Sequence, residues 1–291
     1  MIKKLLFAVV LCCFSMAIKA QLFKQDFNTS TLISDYVSVV PDANQFNGLT
    51  NGSSNLTTSI ENGSLQFKRT DAATMYAYRN FSLAENPSLV QLKFDFELSN
   101  YQSGTQNPTF SIFIGNTFSN ASFGTNSTYA SRFGIVGKNG TNEFKVTTVD
   151  NIGGAPSSSN FSGKQKITFL VNNSGSNQTY TAPNGISEAV ANGKMDLWVG
   201  NTSVINDFSL RNTTSPKADI SGFKIQATSR SGTGTFSFDN IEFTDLLNNS
   251  TSNGNGTGTQ SLTHPHIWVS PADRQGILDN ISNHTWASSL F

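Results

Sequence analysis

The sequence predicts an all-β protein: an antiparallel β-sandwich of jelly-roll type, then a linker, then the first helix of a truncated α-helical domain. Three observations predict it. Between Leu22 and Phe243 the pattern is almost entirely one of runs in which apolar residues recur at every second position, the period of a strand with one buried and one wet face. Glycine- and asparagine-rich turn signals separate the alternating runs. Beyond them Asn248–Gln260, NNSTSNGNGTGTQ, carries no large apolar residue and precedes a capped helix start.

Taken in order, the chain opens on a targeting segment, residues 1–20. Lys3 and Lys4 form a basic head, Leu5 to Ala17 an apolar run too short to span a bilayer, and Ala20 a small residue before a cut ahead of Gln21. The mature protein is therefore expected outside the cytoplasm, secreted or periplasmic, and off the membrane once the leader is removed. Both cysteines, Cys12 and Cys13, belong to the leader. The mature chain then has neither a disulfide framework nor a cysteine-based zinc site, and its stability has to come from a buried core.

Residues 21–247 are assigned to the sandwich. Leu92, Phe94, Phe96 and Leu98 alternate with Lys93, Asp95 and Glu97; Phe110, Ile112 and Ile114 follow the same rule, as do Phe144 and Val146, then Ile167, Phe169 and Val171. Phe223, Ile225 and Ala227, and Phe236 with Phe238, close the series. Lys138-Asn139-Gly140, Asn172 to Gly175, Ala191-Asn192-Gly193 and Ser231 to Gly234 punctuate it as turns. About a dozen short strands without a long repeat suit two stacked sheets better than a propeller.

Residues 248–262 read as a flexible linker, and 263–291 as the start of an α-helical domain. Ser270 stands at an N-cap, Pro271 at the first helical position and Asp273 three residues past the cap. Ile277, Leu278 and Ile281 make a narrow apolar stripe, and Trp286, Leu290 and Phe291 ask for a packing partner that the sequence does not provide.

Composition narrows the partners. Charged residues are 13% of the chain, with 19 basic against 19 acidic, against roughly 25% charged in ordinary domains. With no net charge and no basic run, nothing electrostatic favours nucleic acid or an acidic membrane. A polar, uncharged surface suits neutral, hydroxyl-rich ligands.

No catalytic residue is assigned within the chain. Asp95 and Glu97 have the i, i+2 spacing that a retaining glycosidase would need on one strand face, yet Lys93 shares that face and alternating charge is what a solvated strand shows. The three histidines, His264, His266 and His284, all lie in the tail, so the sandwich lacks a usual base for elimination chemistry.

Binding offers more. Trp198, the only tryptophan of the sandwich, alternates with Leu197 and Val199 and shares its face with Asp196; a concave sheet would present both to a sugar, the ring stacking and the carboxylate meeting hydroxyls. The alternative is a core Trp198. Tyr76, Tyr78 and Arg79, in MYAYRN, form a second candidate, since arginine beside aromatics suits an acidic sugar; Lys224 and Gln226 are candidates for the same wet face. The alternative is an ordinary strand with an exposed arginine. Asp26 and Asp239, on the expected first and last strands, are the candidate ligands of a structural calcium, against simple hydrogen bonding at strand ends.

Four segments, Lys166–Gly175, Tyr180–Gly185, Asp196–Gly200 and Phe238–Phe243, together resemble concanavalin-like, laminin-G-like jelly-roll modules of secreted Bacteroidetes polysaccharide-degrading proteins. The resemblance spans most of Gln21–Asp245 and implies a carbohydrate-binding role. The tail, with His264-Pro265-His266-Ile267-Trp268, Pro271-Ala272-Asp273 and Trp286-Ala287, is similar to the opening of heparinase II/III-like and alginate-lyase-like polysaccharide lyases. That implies β-elimination on a uronic-acid polysaccharide by residues beyond Phe291, none of which maps onto this chain. A non-catalytic binding module tethered to a lyase is the leading expectation; a structural or adhesive sandwich that binds no glycan, and a jelly roll that itself cleaves glycans, are the alternatives.

Overall fold

Alternation at period two, carried by phenylalanine and β-branched residues, is satisfied when one face of each strand meets the matching face of a second sheet. The computed structural model describes residues 20–247, apart from 84, 107, 121–122, 124–126, 150–155 and 212–218. The linker, the helix start at Ser270, the tail histidines and the leader up to residue 19 lie outside the described residues.

In chain order the strands are β1 (Ala20–Gln25), β2 (Gly48–Leu49), β3 (Leu56–Glu61), β4 (Ser64–Arg69), β5 (Met75–Asn80) and β6 (Leu89–Gln102). Then come β7 (Phe110–Gly115), β8 (Tyr129–Gly137), β9 (Glu143–Thr148), β10 (Phe161–Ser162), β11 (Gln165–Asn172) and β12 (Gln178–Thr181). The last are β13 (Ser187–Val190), β14 (Lys194–Val199), β15 (Thr202–Ser209), β16 (Gly222–Ala227) and β17 (Thr233–Asp245). A short 3-10 turn, Ile33–Tyr36, is the one helical element among the described residues. The count exceeds the expected dozen because two-residue strands and a small hairpin, too short for a periodic signal, are added to the long runs.

All strand pairs are antiparallel and form two main sheets. The larger sheet runs β15-β14-β11-β6-β17-β4-β3, with β1 also pairing β17; the second runs β10-β9-β8-β7-β16-β5-β2. β12 and β13 pair only with each other. First and last strands are neighbours, Phe23 opposite Phe243 and Gln25 opposite Ile241.

One core lies between the sheets, and every inward residue of the predicted runs is in it. The phenylalanines explain themselves here. Phe96 of the larger sheet meets Phe144 of the second edge-on at 4.9 Å between ring centroids, Phe169 meets Phe133 at 5.0 Å, and Phe236 meets Phe110 at 5.0 Å. Each edge-to-face pair adds about 0.5–1.5 kcal/mol beyond its area burial, which compensates for the absence of cross-links in the described fold. The turns have the chemistry the sequence announced: Gly140 and Gly193 take φ of 70° and 73°, open to glycine and costly for residues with a Cβ.

Candidate functional site

β5 sets Met75 and Ala77 into the core and turns Tyr76 and Tyr78 outward, half-buried, with ring centroids 6.3 Å apart. Tyr78 lies against Gly48 of the edge strand β2, where a Cβ would run into the ring. Next to β5 is β16, whose Lys224 stands in register with Tyr78 and Gln226 with Tyr76. The Lys224 ammonium is fully buried, 5.8 Å from the Tyr76 ring centroid and 5.9 Å from that of Tyr78. It donates to the Ser119 carbonyl. Burial pushes Lys224 down to about 8, so at neutral pH it is still a cation behind the two rings. Tyr78 is held above the ordinary phenol value by burial first and by Tyr76 second, and it stays neutral across the same range.

The face continues across β7 and β8. Phe113, in register with Lys224, is covered by Phe118 and Phe123 and packs against Tyr129. Arg132 of β8 projects its guanidinium over Phe113, Phe123 and Tyr129 at 5.8, 5.6 and 5.1 Å. Arg211 approaches the same Tyr129 ring at 5.2 Å, and its Nη1 is buried without a hydrogen-bond partner among the described residues. Gln226 Oε1 is in the same condition. The sequences of β5, β16, β7 and β8 contain no aspartate or glutamate. Four adjacent strands thus carry aromatic rings and cations with no carboxylate.

Two expectations need correction, one on this face and one on the other sheet. Arg79 does not sit beside the tyrosines: the strand's own alternation turns it to the opposite face, where it is buried. There its Nη1 donates to the Gln45 carbonyl at 3.0 Å and its guanidinium lies 5.3 Å from the Phe81 ring centroid. Burial lowers its pKa, Asp42 acting the other way. Lys224 and Gln226 do share the tyrosine face, but as buried groups and not as a wet surface.

The second correction concerns Trp198 and Asp196. Leu197 and Val199 do point into the main core, and Trp198 does lie on the other face of β14. That face is covered here. The β12–β13 hairpin folds over it, packing Tyr180, Ala182 and Val190 against Trp198, Leu170 and Leu89. Trp198 is 3% exposed and Asp196 is fully buried. The Trp198 indole donates to the Tyr180 hydroxyl at 2.9 Å, and that hydroxyl donates to Asp196 Oδ2 at 2.7 Å. The other carboxylate oxygen accepts from the Asp207 backbone N–H at 2.7 Å. Burial raises Asp196, with the Asp207 amide as the largest opposing influence. This chain of bonds fastens the hairpin, and the tryptophan is closed to a ligand.

Asp26 and Asp239 are engaged locally. Asp26 Oδ1 accepts from the Asn28 N–H at 3.2 Å; Asp239 Oδ1 accepts from the Asn240 N–H at 2.7 Å, and its Oδ2 lies 3.2 Å from Lys164 Nζ. Among the described residues no three His, Cys, Asp or Glu side chains gather as metal ligands. Asp239 is paired with a lysine, Asp26 already accepts from a backbone N–H, and two carboxylates fall short of the six to eight oxygens calcium takes, so these residues do not fit the ion. Asp95 Oδ2 accepts from Asn240 Nδ2 at 2.8 Å.

No protein-family model matches the chain, and no curated protein sequence does. Among solved structures, a carbohydrate esterase from Shiga toxin-encoding bacteriophage phi24B aligns over 78% of this chain and 99% of its own at 10% identity and a TM-score of 0.49. The marine PL7 alginate lyase AlyA1 from Zobellia galactanivorans aligns over 77% and 94% at 11% identity and a TM-score of 0.38. The Emp47p carbohydrate recognition domain aligns over 66% and 89% at 12% identity and a TM-score of 0.39. At such values the likeness concerns β-architecture, and the reading of the site rests on the chain's own residues.

The sequence alone did not disclose Arg132, Phe113 and Arg211. Arg132 alternates with Phe133 and could be placed outward, but its neighbourhood to Tyr76 and Tyr78 depends on the strand order β8-β7-β16-β5, which local pattern does not encode.

Proposed function

We propose that the sandwich is a non-catalytic carbohydrate-binding module and that it takes an acidic glycan, such as a uronic-acid polysaccharide, across Tyr76 and Tyr78. The observation that supports this is the run of four adjacent strands with rings and cations and no carboxylate. Half-exposed rings stack on the C–H faces of sugar rings. A cation buried behind them acts through a medium less polarisable than water, so its field reaches a carboxylate on the bound sugar with less attenuation than a surface lysine's would. Lys224 therefore orients the rings and biases the face toward anions without touching the glycan. In this reading the residues beyond the linker belong to a lyase of the kind the tail resembles, and the module raises the local concentration of its substrate.

The test is calorimetric titration of the full chain with uronic-acid oligosaccharides. Saturable binding, weakened about tenfold or more by Tyr78→Ala and reduced by added salt, is expected. An absence of binding, or affinity that Tyr76→Ala and Tyr78→Ala leave intact, refutes the proposal and favours the spacer reading.

A further inference from the structure

The fastened hairpin has a second consequence. Beside it, on the outer face of the larger sheet, opens a cleft of about 420 Å³, within the usual range for small-molecule sites. Its lining is assembled by register. Thr168 of β11 stands opposite Lys93 of β6, Lys93 opposite Glu242 of β17, and Leu170 opposite Gln91. The hairpin turn supplies Ala182 and Pro183 as one apolar wall, and Asn201 stands at the edge.

The floor of this cleft is unusual. Gln91 and Thr168 are 3% and 1% exposed, so nearly all of each residue is inside the protein. Among the described residues neither side chain makes a hydrogen bond, although both line the cleft. Their polar atoms are not among the sealed-off unpaired atoms of the described residues and open to the cleft, so water or a ligand there satisfies them. Gln91 offers two donors and an acceptor, Thr168 a donor and an acceptor. That combination matches vicinal hydroxyls, which both give and accept. Of the charged lining, Lys93 stands in register with Glu242, and Lys166 is exposed at the rim where solvent and salt screen it, so a net charge on the ligand gains little.

We propose that this cleft is a second binding site, taking a neutral hydroxyl-rich sugar unit of one or two rings, on the sheet opposite the one bearing Tyr76 and Tyr78. The sugar's hydroxyls replace water on Gln91 and Thr168, and its C–H face rests on Ala182 and Pro183. The site stands independently of acidic-glycan binding at the tyrosines. A module with both sites bridges a charged and a neutral stretch of polysaccharide.

The experiment uses isotope-labelled full-length protein titrated with the methyl glycosides of glucose, galactose, mannose and xylose, followed by amide chemical shifts. At least one glycoside should give saturable shifts centred on β6, β11 and the hairpin turn. Its affinity should fall about tenfold or more in Gln91→Leu and fall also in Asn201→Ala, an edge change that spares the buried floor. It should be unchanged in Tyr76→Ala and Tyr78→Ala. No saturable shift with any of the four, shifts that map elsewhere, or affinity untouched by both cleft variants overturns the proposal. Binding of uronic-acid oligosaccharides, read in parallel, reports separately on the tyrosine face.

Discussion

Replacing Lys224 by Met should separate stability from binding, and pH is the variable that shows it. Burial holds this lysine at about 8 against an ordinary value of 10.5. The unfolded chain therefore binds the proton more tightly than the folded one, so stability rises with pH through the window from about 8 to 10.5. Below that window the full difference applies, about 3 kcal/mol at 1.36 kcal/mol per pH unit. Between pH 7 and 9.5 wild-type protein should gain about 2 kcal/mol, which for a domain of this size is about 4–8 °C in Tm. Lys224→Met should lack that gain. At pH 7 itself the two proteins should melt close together, because removing the charge also removes its bond to Ser119, worth roughly 1.5–3 kcal/mol for a charged donor. The assay is thermal denaturation by circular dichroism at several pH values up to 9.5, below the range where most tyrosines ionise. Equal pH slopes in the two proteins would refute the account of Lys224 as a buried cation. Acidic-glycan affinity should move the other way, falling in wild type as pH passes 8 and already low in the variant at pH 7.

Other expectations follow from single contacts. Gly48→Ala should displace the Tyr78 ring it would collide with, weakening uronic-acid oligosaccharide binding while leaving the cleft on the other sheet unaffected, as paired titrations would show. Trp198→Ala should cost about 3–5 kcal/mol in chemical denaturation, the range for emptying a buried aromatic site, and should also weaken the cleft through its hairpin wall. Asp196, held above the usual carboxylate range by burial, should favour wild type over Asp196→Asn most at acid pH, and that advantage should shrink as pH rises through the raised value; denaturation at pH 4 and pH 7 measures it. Chelation with EDTA should leave the Tm unchanged, since Asp239 is already paired with Lys164; a drop restored by calcium would contradict that.

The inward half of the sandwich was legible in the sequence because it is a local property. Phe94 and Phe96, or Ile167 and Phe169, declare their face by what stands beside them, and each lies in the core as read. The outward half was less legible for a physical reason. Alternation says that Trp198 leaves the core, which is true, but it cannot say whether another element then covers it. The hairpin that does so is joined to β14 by a short turn, and its strands are too brief for a periodic signal. For Arg79 alternation itself gives the answer, since a residue next to Tyr78 in sequence lies on the opposite face of the strand. Lys224 and Gln226 do stand in register with Tyr78 and Tyr76, yet the contact of Lys224 with Ser119 comes from a segment far away in the chain.

What the protein covers and what it leaves open therefore decides its function more than which residues point outward. Trp198 has the strongest stacking surface in the sandwich, and the fold spends it on fastening a hairpin. Phe113 is likewise closed off by Phe118 and Phe123. Tyr76 and Tyr78 stay half-exposed with a cation behind them, and Gln91 and Thr168 stay unpaired at the floor of a cleft whose wall is the fastened hairpin itself. The covered aromatics and the open sites are thus two sides of one arrangement: rigid covers hold their neighbours in the geometry that a ligand needs. Loosening the Tyr180–Asp196 bond by Tyr180→Phe should for that reason weaken neutral-sugar binding without removing any group that touches the sugar. Unchanged affinity in that variant would show that the wall stands by packing alone.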